Sequence, residues 1–439
     1  MKTRFLSLFC ALLIGAAVLG CVAPRMARAA DASPYPRLDV LGRVLAQLER
    51  HYIGAFDDEA LVHDAIKGML RALDPHSSFL TPDEFARFQE DAEGRFCGVG
   101  LEVGIRDNAL TVIAPIPDSP AARAGVRPGD RIVRIGERET VEMGLDEAVQ
   151  LMRGAAGTEV RISVLRRGDK RPHSLTLRRE PVSVRSVVSR SLAPGIVHLH
   201  VRVFQERVAA DVRAALRAAE KATPGETPLR GVVLDLRRNP GGLLVEAVRV
   251  AEVFMPAGAV VSIRGRSGAV QNNYASRGQS PYRALPLVVL IDAGSASAAE
   301  IVAGALKDSG RALLVGTRSF GKGSVQRIFP LRGGAALKLT TALYHTPAGH
   351  VIQAAGIAPD VEVASLLPPE PDALTQAMRE MPAERDLPGH LPPADAPLDD
   401  AAATATADTE DAPDYQLQVA FQILSGLLRA AQAQAPAQP

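Results

Sequence analysis

The chain has 439 residues, about three times the length of a common domain, so a single small module is excluded. Hydrophobic residues make up 47% and charged residues 23%. This is the balance of a soluble globular chain, which argues against wholesale disorder and against a polytopic membrane protein. Lys plus Arg number 50 against 49 Asp plus Glu, so no global field draws the chain to phosphate backbones or anionic lipid, and nucleic acid is not expected as a partner.

The N-terminus has the charged-then-apolar order of a secretory signal: Lys2 and Arg4 precede an apolar, small-residue run over 5–19. That run is shorter than the usual membrane span. Two exits compete. Ala27-Arg28-Ala29 has the small-x-small form of a signal-peptidase site, giving a signal peptide of 1–29, while Val18-Leu19-Gly20-Cys21 resembles a lipoprotein box that would tether the protein to a membrane. An uncleaved anchor is the third possibility. All three place the body outside the cytoplasm, in the periplasm or its equivalent. The other cysteines are Cys10 and Cys97, so a disulfide framework is excluded.

Residues 36–95 read as helical, because Leu38, Leu41, Val44, Leu45 and Leu48 recur at spacings of three and four, as do Leu61, Ala65, Met69 and Leu70. Leu73 to Ser78 break the pattern, and Thr81-Pro82 restarts it with an N-cap and a proline at the first helical position. From Phe96 the period changes to two. Strands are expected over 99–105, 110–113, 132–135 and 160–165, with one helix over 146–152, which makes 96–180 a small β-rich module. From Gly195, buried-strand runs over 196–203, 231–236, 287–291 and 312–315 alternate with helical segments over 208–221, 243–254 and 298–307. That alternation predicts an α/β core with a largely parallel sheet. Composition shifts to Pro, Ala and Asp over 366–412, read as a linker, before an amphipathic helix over 413–432.

Three segments could carry chemistry. In Gly294-Ser295-Ala296-Ser297-Ala298-Ala299-Glu300 a buried strand gives way to a helix. Ser297 with Glu300 has the form of a capping box, which such a turn needs whether or not it is reactive. A serine there also stands where unpaired N–H groups and the helix dipole favour developing negative charge. A serine hydroxyl needs a base, yet none of the nine histidines sits in an evident triad motif, and His198 and His200 read as a surface or core-satisfied pair. No metal motif is present and no cofactor is implied. Lys322, between Gly321 and Gly323, is the remaining candidate, with Gln326 four residues on to hold its amine; the bland alternative is a glycine-rich turn with a solvated lysine. Ser319 and Lys322 also fit an S-x-x-K pattern, but the S-D-N and K-T-G elements that accompany it in penicillin-binding proteins are absent. The third segment, Asp235 to Leu243 with Gly241 and Gly242, opens a helix but lacks the spacing and lysine of a phosphate loop.

These segments together resemble the carboxyl-terminal processing, or tail-specific, proteases. The likeness runs from about residue 38 to 363, through blocks at 73–78, 96–101, 119–130, 235–242, 294–300, 320–326, and 344–349 with 356–360. The resemblance implies an α/β protease core (181–365) with an inserted PDZ domain (96–180) and an N-terminal helical region. It implies a Ser-Lys dyad with Ser297 as nucleophile, Lys322 as base and Gln326 orienting it. The oxyanion hole would be backbone N–H groups of Ala298 and of Gly241 or Gly242, and Gly98, Val99, Gly100 and Leu101 would bind a peptide carboxylate. Ala299 stands where the family often has serine and Ser319 where threonine is common, both small for small. The expected partners are protein substrates with free C-termini, with an adaptor protein and a homo-oligomer as further possibilities. The rivals are a silent PDZ scaffold and a Ser-Lys hydrolase of envelope small molecules.

Overall fold

The computed structural model describes residues 38–434 except 94, 107–108, 142, 167, 184, 223–228, 365–382 and 393–413. The expected signal peptide, both export exits and most of the expected linker lie outside the described residues. By chain contacts the protein divides into a unit ending at Ile66 and a unit from Lys67 onward. In the first, α1 (Leu38–His51) forms where the leucine spacing predicts it but buries no residue. Its stripe of Leu38, Val40, Leu41 and Val44 is exposed. α2 (Asp58–Arg71) crosses the boundary between the units.

In the second unit, β1 (Ser78–Leu80) and α3 (Pro82–Glu93) lead into the β-rich module. Its strands are β2 (Arg95–Gly98), β3 (Leu101–Arg106), β4 (Ala109–Pro115), β5 (Arg131–Ile135), β6 (Arg138–Glu139), β7 (Glu159–Leu165), β8 (His173–Arg178) and β9 (Glu180–Ser183). Two helices, α4 (Pro120–Arg123) and α5 (Leu145–Met152), pack with them. The sheet order is β3-β4-β5-β7-β8, which leaves β3 at an edge, and Val112, Ile132, Ile162 and Val164 fill its core. β2 pairs antiparallel with β9, so the chain enters and leaves this module side by side.

The core sheet has the order β10-β11-β12-β15-β16-β19. Its strands are β10 (Val187–Ala193), β11 (Ile196–Val201), β12 (Gly231–Asp235), β15 (Leu287–Ile291), β16 (Leu313–Gly316) and β19 (Val361–Glu362), all parallel except β10. Strand side chains alternate between faces. Val232, Leu234, Val289 and Ile291 face α6 (Val208–Ala222), α7 (Leu244–Phe254) and α8 (Ala298–Asp308). Val233, Val288, Leu290 and Val315 face α9 (Tyr415–Gln434) through Leu417, Ala420 and Leu424. The C-terminal helix is thus the second cover of the sheet. Leu424 packs so close to Gly231 that a Cβ there would lie 3.1 Å from it.

A second, antiparallel sheet was not legible in the sequence: β1-β18-β13-β14 with β17 on β18. Its long strands are β13 (Ala257–Gly265), β14 (Val270–Arg277), β17 (Ser324–Pro330) and β18 (Ala336–His345).

Candidate active site

The loops after β12, β15 and β16 meet at the carboxyl ends of the parallel strands, where open α/β sheets form their sites. Ser297 ends the second of these as the N-cap of α8, with φ 54° and ψ −111°. This is a left-handed φ that a side chain rarely adopts, and such strain clusters at functional positions. The neighbours impose it. Ala296 N–H donates to Asn239 O (2.8 Å), and the Ser295 hydroxyl donates to Leu236 O (2.8 Å), so the turn is tied to the β12 loop. That loop must come close: a Cβ on Gly241 would lie 2.8 Å from Ser297 Cβ, and one on Gly242 would lie 2.3 Å from Phe204 O. Both glycines have positive φ. Gly241 N–H is taken by Asn239 Oδ1 (2.8 Å). Among the described residues, the N–H groups of Gly242 and Ala298 find no acceptor, so these two remain to meet an anion beside Ser297.

Glu300 is the residue whose part sequence reasoning missed. It was legible as the last member of a capping box, and its carboxylate does accept Ser297 N–H (2.7 Å). It also accepts Lys322 N–H (2.9 Å) on the same oxygen, and the Ser319 hydroxyl (2.5 Å) and Gly321 N–H (2.7 Å) on the other. One fully buried carboxylate thus fastens the backbone of Ser297 to that of Lys322. Burial raises it to about 7 against the pull of these four donors. A second tie joins the loops, Phe320 N–H to Ser295 O (3.0 Å).

Burial, and then the Lys338 ammonium, hold Lys322 below the ordinary lysine value. Among the described residues its Nζ has no hydrogen-bond or ion-pair partner, and the charges of Glu384, Glu300 and Asp74 only partly offset the desolvation. Gln326 does not make the expected contact with this amine: its Nε2 donates to Ser324 Oγ (2.9 Å) and lies 3.3 Å from Thr340 Oγ1. A bulge between Val325 and Gln326 interrupts the strand alternation between the lysine loop and Gln326. His198 is core-satisfied, 2.9 Å from Asp235 Oδ2. No group of three or more metal-ligating side chains occurs among the described residues.

In the β-rich module, a groove of about 760 Å³ runs between β3 and α5. Gly98, Val99, Gly100 and Leu101 line it, and Leu145, Val149 and Met152 form an apolar wall. Gly100 has φ 73° and its Cβ would overlap Ser119, so glycine is required for the turn. Among the described residues the N–H groups of Val99 and Gly100 have no acceptor. The edge of β3 beside them is open to an added strand. Arg185, Val188, Arg202 and Val203 of the core line the same groove.

The model of peptidase family S41 matches residues 195–363, and a PDZ-domain model matches 111–166. The carboxy-terminal-processing protease of Bartonella bacilliformis is 38% identical over 396 residues, 90% of either chain. The carboxyl-terminal-processing protease of Synechocystis sp. is 37% identical over 305 residues, 68% of this chain and 70% of its own. Among solved structures, the photosystem II D1 C-terminal processing protease is similar at 33% identity with a TM-score of 0.48, over 73% of this chain and 86% of that one. With identity of this level spread over nine-tenths of its length, the chain belongs to the carboxy-terminal processing proteases of peptidase family S41, serine-type peptidases with a PDZ domain.

Proposed function

We propose that the protein is an endopeptidase using a Ser297–Lys322 dyad, that its PDZ groove captures the free C-terminus of protein substrates, and that it cleaves near that end. The observation that carries this reading is the shared carboxylate, Glu300, which holds the backbone of Ser297 and Lys322 on one oxygen. In the reaction, Ser297 Oγ attacks the scissile carbonyl while the neutral Lys322 amine takes its proton. The N–H groups of Ala298 and Gly242 receive the oxyanion. The Lys322 ammonium then protonates the leaving amine, and water resolves the acyl-enzyme by the same steps. The secretory character of residues 1–29 supports envelope proteins as the substrate class.

Activity should fall as pH drops, because two groups titrate the wrong way for catalysis. Lys322 becomes a charged ammonium, and Glu300, near 7, takes up a proton and with it loses acceptor capacity for its four donors. Lys322→Arg should be inactive at every pH, since a guanidinium stays protonated. A pH–rate profile flat down to about pH 4 would contradict a lysine base, whose ordinary value is about 10.4.

End recognition is tested with one peptide made twice, with a free and with an amidated C-terminus. The Val99 and Gly100 N–H groups gain from a full negative charge, charge-assisted hydrogen bonds being about twice as strong as neutral ones. The free form should be cleaved about tenfold more efficiently. Because β2 and β9 lie side by side, residues 99–179 can be replaced by a short turn, and that variant should treat both peptides alike. Equal cleavage by the intact protein would leave an endopeptidase without tail specificity.

A further inference from the structure

Beyond the region matched by the peptidase family, residues 383–392 return to the protease core within a stretch whose composition reads as linker. One turn of 3-10 helix, Glu384–Asp386, places Glu384 at 0% exposure. A buried carboxylate without partners is strongly disfavoured, and Glu384 has several. His76 Nε2 lies 2.8 and 2.7 Å from its two oxygens. Gln353 Nε2 donates to Oε1 (2.8 Å). Its own N–H donates to Phe320 O (3.2 Å).

These partners lead to the two residues that follow Lys322. Gln353, itself fully buried, accepts Gly323 N–H at Oε1 (3.0 Å), and a Cβ on Gly323 would lie 2.2 Å from Gln353 N. On the other side, His76 N–H donates to Asp74 Oδ1 (2.8 Å), which also accepts the Thr340 hydroxyl (3.1 Å). Thr340 Oγ1 accepts from Gln326 Nε2 (3.3 Å), which also donates to Ser324 Oγ (2.9 Å). A chain of polar contacts thus leaves the Lys322 loop at Gly323, passes through Gln353, Glu384, His76, Asp74, Thr340 and Gln326, and returns at Ser324.

We propose that Glu384 is a positioning residue for the general base, supplied in cis by the segment 383–392, which locks the Lys322 loop through Gln353 and His76. The proposal rests on the reading of Lys322 as the base. His76 and Gln353 engage the carboxylate oxygens, so it anchors the loop without pairing with the Lys322 amine. Facing Glu384 are His76, Gln353 and, through space, Lys322; facing Lys322 are also Lys338, Glu300 and Asp74.

The test is steady-state kinetics on the full-length protein with a cleavable peptide, with thermal melts to show that each variant is folded. Glu384→Ala should lower kcat about tenfold with KM changed by less than about twofold. Gln353→Ala should do the same, and the double variant should be no worse than either, because both break one chain of contacts. Glu384→Gln keeps an acceptor for Gln353 and a polar partner for His76. It should retain most of kcat while the acid limb moves to lower pH, one negative charge near Lys322 being removed. Wild-type kcat in folded Glu384→Ala, or additive losses in the double variant, would overturn the positioning role alone. If Glu384→Ala does not fold, Gln353→Ala decides, and wild-type kcat in that folded variant overturns the proposal. Turnover by Lys322→Ala would instead overturn the base assignment itself.

Discussion

Ser297→Ala and Lys322→Ala are each expected to fold as the parent does and to lose peptidase activity by about 10⁴-fold, with the double variant little worse than either single one. The near-equality follows from the roles: without the hydroxyl there is nothing to deprotonate, and without the amine the hydroxyl is a poor nucleophile, so the second deletion removes nothing further. Folding should be spared for a geometric reason. Among the described residues the Lys322 amine has no bonding partner, and the clamp on Ser297 and Lys322 acts on their backbone N–H groups through Glu300, which either alanine retains. The measurement is initial-rate cleavage of a fluorogenic peptide by purified variants, beside their thermal melts. Substantial turnover by Lys322→Ala would remove the lysine from the chemistry. Losses that multiply in the double variant would mean that the two residues act separately.

The parallel core was legible because a strand covered on both faces is an apolar run whichever way its side chains point. Residues 231–236 and 287–291 announce themselves without any knowledge of their neighbours. The antiparallel sheet was not, because ribbons such as β14, with the sequence VQNNYASR, are largely exposed and carry no such run. Nor can a three-residue strand like β1 be read apart from its partner, β18. The same distinction holds at the site. Ser297 and Lys322 stand out locally, one at a strand-to-helix turn and the other between two glycines. Glu384 and Gln353 do not, since their role depends on contacts with residues far away in the chain, His76 and Gly323. Glu300 falls between the two. Its place three residues after Ser297 predicted one hydrogen bond, and only the return of the β16 loop supplied the other three. Composition read 366–412 as linker, but composition is blind to a single buried carboxylate in an otherwise polar, proline-rich stretch.

The largest stability effect should come from Arg237→Ala. Its guanidinium lies between two carboxylates: Asp235, on Nε (3.0 Å) and Nη2 (2.7 Å), and Asp414, on Nη1 (2.9 Å) and Nη2 (2.7 Å), with Gln416 Oε1 also accepting (3.0 Å). Asp414 immediately precedes α9 and caps it by accepting Leu417 N–H (2.9 Å), so the arginine pins the second cover of the sheet to the loop that brings Gly241 beside Ser297. Burial alone would push Asp235 up, but Arg237 and His198 outweigh it and hold the carboxyl well below its usual range. Removing the arginine leaves Asp235 buried with His198 as its main remaining side-chain partner, and breaking a buried pair from one side costs about 3–5 kcal/mol. Urea unfolding at pH 7 should show a loss of that size. The pH dependence fixes the cause. A depressed carboxylate contributes stability above its unfolded value, here 3.8, and loses it as pH falls through the folded one. Without the arginine that depression shrinks to what His198 and His200 supply, so the gap between parent and variant should narrow as the pH falls towards and below 3.8. A loss under about 1 kcal/mol, in the range of an exposed pair, would show that the Asp235–Arg237–Asp414 bridge does not hold α9 to the site, and a gap independent of pH would trace the loss to packing instead of charge.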